Sequence, residues 1–182
     1  MSFIYNFNLI GKKIINFKLK GILNNKFIKK FNLFKFKKKY NLIIYFYSKN
    51  FVKYNYIDLI KFQKYIKTFY KKNTKLIAIS TDSEYSHLYW TKFNKKQNGI
   101  KNITFPILSD INKIVSYFYK TLNGCYKINN NILLKNKGEL ICNKSIFIID
   151  KHNIIKSYSS YYKNISINIK DILRIIKIIN QK

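Results

Sequence analysis

The chain has 182 residues, 47% of them hydrophobic, and a formal net charge of +29. That length and apolar share fit a single domain over residues 1–182 and exclude wholesale disorder. The longest apolar runs, Leu42 to Tyr47 and Ile146 to Ile149, fall far short of the ~18 residues a membrane span needs, so no membrane partner is expected.

The charge supports two readings. A strongly basic chain is attracted to polyanions, either nucleic acid or an anionic membrane surface. Against that, only one of the 36 basic residues is an arginine, Arg174, and bidentate recognition of phosphates and base edges leans on arginine. The lysines run along the whole chain, beside many Asn, Ile, Phe and Tyr, all residues with adenine- and thymine-rich codons. We read the composition as drift in an AT-rich genome and expect no specific nucleic-acid partner. Two cysteines, Cys125 and Cys142, are too few for a disulfide framework and suggest a reducing, cytoplasmic setting. Residues 1–10 read as an N-terminal extension with no basic n-region and no small-residue cleavage site, so no signal peptide is expected.

In chain order, Ile14 to Leu19 alternates roughly and fits a strand, and Ile22 to Phe36 fits short strands and turns. Leu42 to Tyr47 is a continuous apolar run, the mark of a buried central strand. It breaks at Ser48-Lys49-Asn50 and restarts as a helix over Tyr54 to Lys71, with Ile57, Ile60, Tyr65, Ile66 and Phe69 on one side. Leu76 to Ser80 is a second buried strand. Asp82 or Ser83 can cap the next helix, which carries Tyr85, Leu88, Tyr89 and Trp90 and fades by Asn94. Asn98-Gly99 marks a turn, Phe105 to Leu108 a short strand, and Ser109-Asp110 the cap of a helix from Ile111 to about Tyr119. Residues 120–140 lack a pattern and read as a loop or weak hairpin. Ser145 to Asp150 is a buried strand, Lys151-His152-Asn153 a turn, Ile154 to Tyr158 the strand that pairs with it, and Ile169 to Ile179 a closing helix. This order gives an α/β fold with a central mixed β-sheet flanked by helices. The thioredoxin-like layout has that plan, and so do other small α/β folds.

Ile77 to Trp90, I-A-I-S-T-D-S-E-Y-S-H-L-Y-W, resembles the V-G-V-S-V-D-S-x-F-S-H-L-A-W segment of peroxiredoxins of the alkyl hydroperoxide reductase C and thiol-specific antioxidant type. Asp82, Ser83, His87, Leu88 and Trp90 fall in register with it. The N-I-T-F-P-I-L-S-D run from Asn102 to Asp110, the F-I-I-D run from Phe147 to Asp150, and Leu173-Arg174-Ile175 extend the likeness, as do Gly11-Lys12-Lys13 and Phe17 upstream. It covers about residues 10 to 180 and implies a thioredoxin-like fold. The activity it implies is antioxidant: thiol-dependent reduction of hydrogen peroxide and alkyl hydroperoxides, with no metal or organic cofactor.

The same register lays Tyr45 to Phe62 over the family's F-F-Y-P-L-D-F-T-F-V-C-P-T-E-I-x-x-F. Tyr47, Phe51, Asp58 and Phe62 match or nearly match. The peroxidatic cysteine position is Asn55, the following proline is Tyr56, the threonine is Ile57, and the arginine before the F-I-I-D strand is Lys144. The resolving-cysteine tail has no counterpart before Lys182. A thiolate held by a cation and a helix N-terminus is what attacks a peroxide, and an amide cannot replace it. Lys144 supplies charge without arginine's planar fork. Asn55 remains suited to cap the helix. The expectation is therefore a degenerate peroxiredoxin with its activity lost or nearly lost, needing a thioredoxin-like reductant only if it turns over.

Other readings compete. Cys142, two residues from Lys144, could be a relocated thiol; the bland alternative is an inert free cysteine. A Cys125–Cys142 disulfide is open, since sequence does not fix their distance. His87 reads as a packing or oligomer-contact residue and His152 as an exposed turn residue. No Cys/His/Asp/Glu cluster has metal-ligand spacing. The resemblance implies a homodimer or higher homo-oligomer paired through Ile154 to Tyr158. A non-catalytic scaffold or holdase-like oligomer is thus an alternative function, and a basic nucleic-acid-associated protein is a third.

Overall fold

A computed structural model of the chain describes residues 8–129 and 132–181, with side chains for all of these except 95 and 125–137. The elements run β1 (Lys18–Leu23), β2 (Lys26–Asn32), α1 (Leu33–Lys37), β3 (Asn41–Phe46), α2 (Lys53–Lys71), β4 (Thr74–Ser80) and α3 (Glu84–Trp90). After a 3-10 turn at Lys95–Gln97 come β5 (Ile107–Ser109), α4 (Ile114–Phe118), β6 (Cys125–Asn129), β7 (Ile132–Lys137), β8 (Lys144–Ile149), β9 (Ile155–Tyr161) and α5 (Ile169–Asn180). Seven strands form one mixed sheet in the order β2-β1-β5-β4-β3-β8-β9. β3 runs parallel to β4 and antiparallel to β8, and β8 pairs antiparallel with β9. β6 and β7 form a separate antiparallel hairpin, which decides the reading of residues 120–140 in favour of the hairpin.

The central strands carry unbroken apolar runs, Leu42 to Phe46, Leu76 to Ile79 and Ile146 to Ile149, because both sheet faces are covered. Side chains on a strand alternate between faces. Ile43, Tyr45 and Tyr47 point into a core closed by Leu59, Phe62 and Phe69 of α2 and by Ile169, Ile172 and Ile176 of α5. Leu42, Ile44 and Phe46 point the other way, against Ile14, Phe17, Val115, Tyr119 and Phe147. A strand with two buried faces shows no polar alternation, and this is the physical basis of the continuous runs in the sequence.

Several details differ from expectation, among them a short helix, α1, where only strands and turns were expected. The strand expected over Ile14 to Leu19 starts only at Lys18. Ile14 and Phe17 are core plugs instead, and the Gly11–Ile14 segment is tied by backbone bonds to Asn153 and Ile155. The helix expected from Ile111 is the short α4, because Lys113 takes a left-handed φ of 62° immediately before it. Asp110 still serves that helix start, accepting from the Val115 and Ser116 amides. Asn55 does not cap α2: Val52 occupies the cap position with no side-chain bond, and Asn55 lies inside the first turn.

Gly21 lets β1 approach β5. A Cβ at that position would run into the carbonyl oxygen of Ile107. No helix among the described residues is long and apolar enough to cross a membrane.

Candidate functional site

The break at Ser48-Lys49-Asn50 becomes the loop that leaves the carboxyl end of β3 and enters α2. Open α/β sheets commonly bind ligands at such strand ends. Here the loop is fixed by a buried polar network. The Tyr47 hydroxyl donates to Asn50 Oδ1 at 2.9 Å. Asn50 Nδ2 donates to Ser86 Oγ at 2.8 Å and lies 3.0 Å from His87 Nδ1. His87 Nε2 meets the Leu108 carbonyl at 3.3 Å. Burial pushes the His87 imidazole down to about 4, so it is neutral near pH 7. The tautomer that satisfies every partner carries its proton on Nε2, donated to Leu108, and accepts from Asn50 at Nδ1. Phe51, next in the loop, holds a left-handed φ of 60°, costly for a bulky residue, and its ring packs on Tyr89, Trp90 and Phe93.

One turn into α2, Asn55 is buried, and its amide nitrogen donates to Ser48 Oγ at 3.0 Å and to the Lys49 carbonyl at 2.8 Å. It lines a pocket of about 320 Å³ together with Ser48, Cys142, Asn143, Lys144 and Tyr161. Residues 55, 142 and 144 are far apart in sequence or on different elements, and the fold brings them to one wall. Ile57 is not among the pocket-lining residues. Two positions along a helix turn the side chain away from Asn55, and Ile57 packs against the core instead. The position that shares the face of Asn55 one turn back is Val52, which has no hydroxyl.

Lys144 is not a free cation. Its Nζ lies 2.6 Å from Asp58 Oδ2, with both side chains almost wholly buried, and donates to the Ile165 carbonyl at 3.0 Å. Asp58 also accepts from the Tyr45 hydroxyl at 3.3 Å and from the Ile167 amide at 3.3 Å. The pair therefore clamps α2, β8 and the segment entering α5. In the sequence Asp58 stands out only as one of four positions that match or nearly match the family's segment. The available signal was an acid at helical spacing with Phe62, Tyr65 and Phe69, in a chain with only seven acidic residues.

The model of the AhpC/TSA family matches residues 10–158. The chain belongs to the AhpC/TSA family of peroxiredoxins. Alkyl hydroperoxide reductase C of Helicobacter pylori is 32% identical over 115 residues, 63% of this chain and 58% of that protein. A putative peroxiredoxin of Trieres chinensis is 29% identical over 117 residues, 64% of this chain and 57% of that one. The matched stretch thus spans little more than half the length of these relatives. Among solved structures, the mitochondrial 2-Cys peroxiredoxin of Plasmodium falciparum superposes with a TM-score of 0.79 at 32% identity, over 94% of each chain. The reduced 2-Cys peroxiredoxin of Plasmodium vivax gives 0.81 at 27% identity, over 96% of this chain and 83% of that one. The thioredoxin-like fold expected from the sequence is the fold of these peroxiredoxins.

The candidate relocated thiol, Cys142, is a core residue. Cys142 is free, 1% exposed and 3.1 Å from Ser116 Oγ. Burial pushes its thiol up to about 12, far from the thiolate a nucleophile needs. The side chain of Cys125 lies outside the described residues. Trp90 is fully buried, whereas Tyr85 and Tyr89 are exposed, and His152 is exposed in its turn. Among the described residues, no group of three or more His, Cys, Asp or Glu could hold a metal ion.

Proposed function

We propose that this chain keeps the peroxiredoxin scaffold while thiol-dependent reduction of hydrogen peroxide and alkyl hydroperoxides is lost or strongly impaired in it. The observation that carries the proposal is Asn55, in the first turn of α2 and in the pocket beside Lys144, where the resemblance puts the attacking thiol. Thiol peroxidation forms a sulfur–oxygen bond as the peroxide O–O bond breaks; the alcohol or water leaves with a proton and a sulfenic acid remains. The amide nitrogen of Asn55 has no free lone pair for that step, and it is already spent on Ser48 and Lys49. Two further observations support the reading. The Lys144 charge is matched by Asp58 rather than left to hold a thiolate, and the Cys142 thiol is buried and protonated.

The test is peroxide consumption by the purified protein with excess dithiothreitol, beside a Cys125→Ser/Cys142→Ser variant. The expected result is no rate above the reductant blank. An enzyme-like rate abolished in the double variant would overturn the proposal, reinstate a relocated thiol, and make a thioredoxin-like reductant a partner worth seeking. Cytoplasmic residence belongs to the same proposal and rests on the small number of cysteines in the chain.

A second reading, a non-catalytic homo-oligomeric scaffold, is favoured by β9. It is the last strand of the sheet, and among the described residues one of its sides has no neighbouring strand. Such edges invite pairing with another copy. Light scattering that gives a monomer mass at micromolar concentration would remove this reading.

A further inference from the structure

A cleft of about 310 Å³ opens on the opposite flank of the sheet from the Asn55 pocket, where β1 and β2 meet the loop after β5. Four lysines line it: Lys18 and Lys20 from β1, Lys29 and Lys30 from β2. Their convergence has a backbone cause. The register of β1 and β2 shifts between Leu19 and Gly21, so Lys20 faces the Lys29-Lys30 pair across an irregular ladder instead of a single partner. Like charges facing one another across a ladder destabilise it.

The cleft contains little to offset them. Glu84 reaches Lys20 at 3.6 Å. Asp110 also lines the cleft, but its carboxylate is turned to the start of α4, where it accepts from the Val115 and Ser116 amides and from Ser116 Oγ. Among the described residues, no carboxylate pairs with Lys18, Lys29 or Lys30. All four lysines are solvent-exposed, so their ammonium groups are available.

We propose that this cleft binds a short linear phosphate chain, as in an inorganic oligophosphate or the triphosphate of a nucleotide. Lysine meets phosphate as a compact, adaptable point charge and needs no planar fork, which suits a chain with one arginine. The volume fits a few phosphate groups and not a duplex. Neutralising the cluster removes the like-charge repulsion at the bulge, so the ligand also stabilises the β1–β2 edge.

The test is calorimetric titration of the full chain with inorganic tripolyphosphate and, separately, with ATP. Three proteins are compared: the natural chain, Lys20→Gln/Lys29→Gln/Lys30→Gln, and Lys64→Gln/Lys67→Gln/Lys71→Gln on α2, which removes equal charge elsewhere. Binding should weaken by about tenfold or more in the cleft variant, stay within about twofold in the α2 variant, and fall with added salt. A Lys29→Gln/Lys30→Gln variant, altered only on the edge strand, should show the same direction. Tripolyphosphate binding as well as ATP assigns recognition to the phosphate chain alone; ATP binding better assigns it to a nucleotide. Equal weakening in the cleft and α2 variants, or no binding of either probe by the natural chain, would overturn the proposal.

Discussion

Lys144 and Asp58 meet at 2.6 Å with 2% and 1% of their side chains exposed. At that depth the attraction of the pair offsets the desolvation of both ions only while both are present. Lys144→Met should therefore cost about 3–5 kcal/mol in urea unfolding, with the double variant Asp58→Asn/Lys144→Met recovering much of it. A single-variant loss below about 1 kcal/mol would mean that water reaches the pair. Cys142 makes a second residue-scale case. With a thiol pushed up to about 12, it should react with an aromatic disulfide reagent at least about a hundredfold more slowly in the folded Cys125→Ser protein than in urea. Comparable rates in the two states would show a thiol open to solvent. The identity of residues 55, 57, 142 and 144 was legible in the sequence. Their partners were not, because a side chain's neighbours come from elements far along the chain.

Among the elements, α2 begins without help. Val52 holds the extended cap conformation, φ −80° and ψ 125°, and contributes no side-chain bond to the free amides of the first turn. Val52→Thr keeps the shape and adds an acceptor, so it should raise stability by about 1 kcal/mol and the melting temperature by about 3 °C. An unchanged or lower melting temperature would mean that the first turn is already satisfied by the loop. β1 gives the opposite case. Gly21→Ala should destabilise the chain clearly in thermal melts, because the added methyl meets the backbone of Ile107, which cannot move without displacing β5. The continuous strands β3, β4 and β8 were readable because two-faced burial writes an apolar run. The start of β1 and the length of α4 were not, because Ile14 and Phe17 are buried as loop plugs and Lys113 bends the chain before α4.

For the whole molecule, each of the seven acidic residues has a structural use. Asp58, Glu84, Glu139, Asp150 and Asp171 pair with Lys144, Lys20, Lys49, Lys156 and Arg174. Asp82 and Asp110 accept backbone amides at the loop before α2 and at α4. The buried network also gives the molecule a pH response. The unfolded chain protonates His87 near 6.5, while the folded chain resists protonation down to about 4. Between those values the unfolded state binds more protons, so stability is full above pH 6.5 and falls as pH drops toward 4. The His87 contribution to that fall is about 3 kcal/mol. Asp82 and Asp110, both raised by burial, act in the opposite direction as they protonate. The His87 share is therefore read as the difference between the natural chain and His87→Gln across pH 4 to 7. Parallel stability curves for the two would show that His87 is not the group responsible.

The sequence by itself determined the α/β plan, the three two-faced central strands, the resemblance to peroxiredoxins and the amide at position 55. These are properties of local pattern and residue identity, which the chain carries whether or not it is folded. Only the tertiary structure decided that Lys144 is matched by Asp58, that Cys142 is sealed in the core, that His87 is a neutral bracket for the loop, and that Lys18, Lys20, Lys29 and Lys30 share one cleft. Charge state and reactivity depend on the distance to partners and on exclusion of water, and both are set only when separate segments pack together.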